Sequence, residues 1–170
     1  AAKTHRDRAE FSRKALERVL WLPDRGYLAE SIEPAPSHRV HEDATLYSVN
    51  IPVDCGVVSR DQGIQIVDYA GWGLERVPQP AGGSLIYTSN FVPDVWSVRE
   101  LDNADTLHTA IAAFKVGMAE EGWDLLRGIC LQSMYGSVVP GGLLCGPPGN
   151  TYSSTDFSHP SSLYARTIVE

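Results

Sequence analysis

The sequence predicts a mainly α protein made of antiparallel helix hairpins whose long connections carry short β segments. Apolar residues recur at helical spacing in four stretches: about Asp7 to Trp21, Arg60 to Val77, Asn103 to Val116 and Ala119 to Tyr135. Proline or glycine closes the first three of these runs. The connections between them are too long to be structureless, because loops beyond ~12–15 residues usually carry structure or function.

In the first helix Phe11, Ala15, Leu16, Val19 and Leu20 share one face, and Pro23 stops it. The second opens on a capping box, Ser59 with Gln62, in which each side chain satisfies a free amide of the first turn. Its predicted stripe is Ile64, Val67, Gly71 and Leu74, and Pro78 ends it. The third turns Leu107, Ile111 and Phe114 inward and closes on Gly117, a residue suited to the left-handed conformation of a helix end. The fourth follows almost at once with Trp123, Leu126, Ile129, Cys130 and Met134. So short a junction predicts an αα-hairpin. Near the end, Ser158 or His159 can cap a fifth helix with Pro160 in its first turn, and Leu163, Tyr164 and Ile168 begin a stripe. That pattern meets Glu170 in mid-stripe, which predicts a single domain that is a truncated segment of a larger fold. In the connections, Gly26–Ile32, Thr45–Ile51 and Ser84–Thr88 carry residues of β type.

Composition narrows the function classes. The 170 residues carry a net charge of −7, which argues against a nucleic-acid or anionic-membrane surface, since both need clustered Lys and Arg. The basic stretch from Lys3 to Arg18 is interleaved with Asp7, Glu10 and Glu17, as on a solvated helix face. No apolar run approaches the ~20 residues of a membrane span, and no basic-then-apolar signal peptide opens the sequence. With 43% apolar and 21% charged residues a packed core is expected. Cys55, Cys130 and Cys145 lack any Cys-x-x-Cys spacing and are expected as small hydrophobes.

Several kinds of chemistry lack their motif. There is no Gly-x-Ser-x-Gly elbow. The glycine- and proline-rich stretch 136–150 has no phosphate-loop lysine, and its prolines remove amide donors. His38 and His41, followed by Glu42 and Asp43, have metal-ligand character, but Pro34 and Pro36 disfavour the helix turn that would align them. No motif implies a cofactor.

Carboxylates and aromatics instead gather in the connections. Glu30 and Glu33 lie in the first, Asp54 and Asp61 flank the start of the second helix, and Tyr152 and Asp156 precede the fifth. Asn90, Asp94, Trp96, Arg99 and Glu100 precede the third. Sugar sites use this mixture: aromatic faces stack on pyranose C–H surfaces, polar groups fix hydroxyls, and a carboxyl pair supplies acid and base. Trp96, in a loop, is the best placed to stack, whereas Trp72 and Trp123 lie within helices and are assigned to the core.

Leu46–Asp54, Pro93–Glu100, Thr106–Gly117 and the close from Val139–Gly142 through Ser161–Glu170 together resemble the six-hairpin (α/α)6-barrel glycosidases, near the bacterial rhamnosidase-like branch. The resemblance covers most of the chain as loosely spaced residues, not as a fixed signature. It implies an incomplete (α/α)6 barrel, with about four to five of twelve helices, and a glycoside hydrolase working by carboxylate acid–base chemistry on an oligosaccharide. By position it implies Glu100 and Asp94 as acid and base, Glu30 as a third candidate, and Trp96, Arg99, Asn90 and Tyr152 as substrate-binding residues. The arginine- and glutamate-rich motif around the rhamnosidase general acid has only a faint echo here, Arg60-Asp61-Gln62-Gly63. The alternative expectation is a non-catalytic carbohydrate-binding or self-assembly module derived from such a barrel. Uncovered helix faces in a partial barrel predict a homodimer in either case. A metal-dependent hydrolase using His38 and His41 ranks last.

Overall fold

The computed structural model describes residues 2–92, 98–132, 143–145, 152–154 and 166–167. Among them are five helices, α1 (Ala2–Leu20), α2 (Leu46–Asp54), α3 (Arg60–Gly73), α4 (Asn103–Val116) and α5 (Ala119–Leu131). Small antiparallel pairs fill the connections: β1 (Trp21–Leu22) with β2 (Tyr27–Leu28), β3 (Ser31–Ile32) with β4 (Val40–His41), and β5 (Arg76–Pro78) with β6 (Ser84–Ile86). A fourth joins β7 (Leu143–Cys145) to β8 (Tyr152–Ser154). The protein is mainly α.

Helix α4 is the centre of the packing. Leu107, Ala110, Ile111, Ala112, Ala113 and Val116 are all buried, and α2, α3 and α5 lie against it. Its small alanines let three neighbours approach at once. Helices α2 and α4 run side by side in the same direction: Asn50 Nδ2 donates to the Asp105 carbonyl at 3.1 Å, and farther along both helices Asp54 meets His108 and Lys115. Helices α3 and α5 run the opposite way. Gly63, early in α3, faces Val53 and Val116 at the far ends of α2 and α4, and Gly122, early in α5, faces Phe114. The chain therefore alternates direction, and the starts of α2 and α4 share one end. Both long connections close over that end, where Leu46 N–H donates to the Thr88 carbonyl at 2.9 Å.

Several expectations hold at residue level. The third helix spans Asn103–Val116 as predicted, and Gly117 closes it in the left-handed region at φ 88. Ser59 and Gln62 form the reciprocal cap, with Gln62 N–H to Ser59 Oγ at 3.3 Å and Ser59 N–H to Gln62 Oε1 at 2.9 Å. The α4–α5 hairpin is present. Ser84–Ile86 is a strand, and Tyr87 adds a bridge to Leu101.

Others are corrected. Thr45–Ile51, expected as a strand, is the N-cap and first part of α2, because Leu46, Val49 and Val53 bury on one helical face. The second helix ends at Gly73, not Val77, and Arg76–Pro78 pairs as β5. Gly71 and Gly73 weaken the helix there, and a Cβ at Gly73 would lie 2.3 Å from the Tyr69 ring. Helix α1 forms but buries no residue, and Phe11 is 75% exposed. Trp72 (72% exposed) and Trp123 (58%) are not core residues. Cys55 is exposed and Cys130 half-buried. Arg166 and Thr167 are helical, while the start of the expected fifth helix, Met134, Tyr135 and most of residues 136–150 lie outside the described residues.

Candidate active site

The end where α2 and α4 begin holds a cluster of buried carboxyls. Glu100, Asp102 and Asp105 are all buried, Asp105 to 3% exposure. Backbone pairing fixes the first of them. Thr88 N–H donates to the Glu100 carbonyl at 2.9 Å, and Glu100 N–H donates to Thr88 Oγ1 at 3.1 Å. Asp102 is the N-cap of α4, its Oδ1 accepting from Ala104 N–H at 2.7 Å. Asp105 follows in the first turn. On the facing helix Tyr47, half exposed in the first turn of α2, hydrogen-bonds the Asp105 carboxyl.

Burial sets the proton affinity of this group. It pushes Asp102 up to about 6, with the Glu100 charge adding and the Ala104 amide opposing. Asp105 goes up to about 8, driven by burial and then by the Asp102 charge, while the Tyr47 hydrogen bond opposes. Tyr47 is also raised, by burial first and by the Asp105 and Asp102 charges after it. The arrangement keeps a protonated carboxyl beside other carboxyls near neutral pH, the condition for acid and base roles to separate.

This makes a stability prediction. A carboxyl raised in the folded state costs nothing below its unfolded value, and the cost accumulates as pH rises from there until it is complete at the folded value. Asp105→Asn should therefore stabilise the protein at alkaline pH, raising Tm by about 5 °C at pH 8, with little gain at pH 4. Thermal melts across that range check it.

The expected site residues are only partly assembled. Glu100 lies in the cluster. Arg99, just before it, ion-pairs with Glu75, and its guanidinium lies 4.5 Å from the Tyr87 ring centroid. Asn90 Nδ2 donates to the Gly73 carbonyl. Glu30 lies at the same end but is held at the start of α2, where Thr45 Oγ1 donates to its Oε2 at 2.9 Å and Ser48 Oγ also donates. It serves that helix end, next to Tyr47. Asp94 and Trp96 lie outside the described residues. Tyr152 belongs to β8, opposite Cys145, and only its backbone is described. His41 Nε2 is hydrogen-bonded to Glu33 Oε1 at 2.9 Å, and among the described residues no group of three or more His, Cys, Asp or Glu could hold a metal ion.

Asp102, Asp105 and Tyr47 were missed by sequence reasoning. The available signal was the Asp-x-x-Asp spacing two residues after Glu100. Alone it describes an ordinary helix start rich in caps. No protein-family model matches this chain, and no curated protein matches it significantly. No helix among the described residues is long and apolar enough to cross a membrane.

Proposed function

We propose that the chain is part of a glycoside hydrolase, an incomplete (α/α)6 barrel that cleaves an oligosaccharide by carboxylate acid–base chemistry. One observation carries the reading. Glu100, Asp102 and Asp105 are buried together at the end where the long connections gather, with Asp102 and Asp105 both holding their protons more tightly than free carboxyls do. The parallel pair α2 and α4, with α3 and α5 antiparallel to them, agrees with the alternating inner and outer helices of such a barrel. In this reading Glu100 faces the glycosidic oxygen or the attacking water, Asp94 is its partner, and Asp105 is the protonated neighbour that keeps the cluster from carrying three charges. A proton delivered to the leaving oxygen would contribute roughly 10²–10⁴-fold to the rate.

A second reading is supported by the exposed apolar side chains Tyr47 and Ile51 on α2 and Phe11 on α1. It makes the chain a helical carbohydrate-binding or self-assembly module, most simply a two-fold dimer. One experiment separates the two readings. Reducing-sugar release from an oligosaccharide panel is measured for the parent and Glu100→Gln, alongside solution mass. Hydrolysis by the parent that falls at least about a hundredfold in Glu100→Gln supports the enzyme. An inactive parent with twice the 18.6 kDa chain mass supports the module.

A further inference from the structure

Trp72 ends the exposed face of α3, and a buried partner fixes its orientation. The Tyr69 ring meets it edge-on, with centroids 5.4 Å apart and planes at 89°. Tyr69 is itself buried and lies 3.9 Å from Tyr27, centroid to centroid. The missing Cβ at Gly73 leaves room for Tyr69 at the end of the helix. An aromatic side chain with 72% of its surface in water would ordinarily be mobile, and this one is braced.

Polar groups are anchored at the same helix end. Asn90 is tied to the carbonyl of Gly73, the next residue, and Glu75 three positions on is ion-paired to Arg99. Asp68, one turn earlier, is exposed. Arg99 immediately precedes Glu100, so this group borders the carboxyl cluster. A protein partner would favour a contiguous apolar surface here, and an ammonium ligand is recognised by several aromatic faces closing round it. Among the described residues Trp72 has one ring contact, the Tyr69 edge. A single open indole face bordered by carboxyl, amide and guanidinium groups fits a ring that is apolar on its face and hydroxylated at its edge.

We propose that Trp72, with Asn90 and the Glu75–Arg99 pair, is a stacking subsite for a pyranose ring on the rim beside Glu100. This deepens the glycosidase reading and rests on it: the subsite holds a sugar unit remote from the bond being cleaved. Trp72→Ala should then raise KM and leave kcat nearly unchanged, as expected when binding common to ground and transition states is lost.

The test titrates the intact chain with cello-, xylo- and malto-tetraose, read by tryptophan fluorescence and calorimetry. Solution mass is measured for each variant. Kd for at least one tetraose is expected to rise about tenfold in Trp72→Ala and to be largely recovered in Trp72→Phe. Binding that depends on Trp72 without hydrolysis of any probe upholds the subsite and removes only the hydrolytic reading. Hydrolysis that Glu100→Gln abolishes, with Kd and KM unchanged in Trp72→Ala, overturns the subsite alone. Failure of every tetraose to bind, or a Trp72→Ala change confined to oligomeric mass, also overturns it.

Discussion

Gly128→Ala is expected to destabilise the protein by about 3–5 kcal/mol, lowering Tm by roughly 10 °C. The sign runs against helix propensity, by which alanine gains about 1 kcal/mol over glycine in a helix interior. The reason is a backbone-to-backbone approach. A Cβ on Gly128 would lie 2.3 Å from the Ser84 carbonyl oxygen and 2.5 Å from its nitrogen. On the other side Gly83, at φ +79, would place its Cβ 2.2 Å from Gly128 N. Main chain on both sides cannot rotate away, so the β5–β6 hairpin must lift off α5 and expose Leu85 and Ile129. Gly71→Ala is the control. Its Cβ would meet only the Arg76 and Glu121 side-chain ends at 3.9 Å, so the propensity gain should survive as about 0.5–1 kcal/mol of stabilisation. Urea unfolding of the two variants against the parent checks both signs, and a Gly128→Ala midpoint equal to or above the parent's would refute the close approach.

That contact illustrates how far local pattern reaches. Helix α4 was legible end to end because its signals are local: apolar spacing within the helix and a left-handed glycine after it. The α3 cap was legible for the same reason. Helix α2 was not. Tyr47, Val49 and Ile51 are aromatic or β-branched, and seven residues give too little periodicity to separate helix from strand. Tertiary burial of Leu46, Val49 and Val53 decides it. Helix α1 shows the reverse case: its stripe is legible, yet none of its residues is buried.

The same division runs through the candidate site. Glu100 could be singled out because carboxylates and aromatics cluster in its loop. Asp105 could not, since its character comes from α2. Asn50 and Tyr47 approach it from 55 and 58 residues away, and the resulting burial turns a helix-start aspartate into a group that holds a proton near neutral pH. Trp72 was misjudged by the rule that a helical tryptophan faces inward. The face of α3 on which Ile66, Val67 and Ala70 bury excludes it.

The second large effect concerns Asp54, at the opposite end of α2 from the carboxyl cluster. Its side chain is only 8% exposed, and three cationic or ionisable groups converge on it. His108 Nε2 lies 2.8 Å from Oδ2 and Lys115 Nζ 2.7 Å from Oδ1, while the Arg166 guanidinium engages both oxygens. Arg166 foremost, then Lys115 and His108, hold the carboxyl well below the usual range although burial opposes them. A carboxyl lowered in this way stabilises the folded state above its unfolded pKa, and the stabilisation fades as pH falls toward the folded value. Asp54→Asn should therefore cost about 2–3 kcal/mol at pH 7, less than a fully buried pair because Lys115 and Arg166 remain one-third exposed. The difference from the parent should shrink as pH drops below about 4. Urea midpoints at pH 7, 5 and 3 distinguish this from lost packing, which would leave the gap constant. Because Arg166 lies 112 residues from Asp54, the variant should also free the segment carrying it, and amide exchange at Arg166 and Thr167 should speed up with the loss of stability.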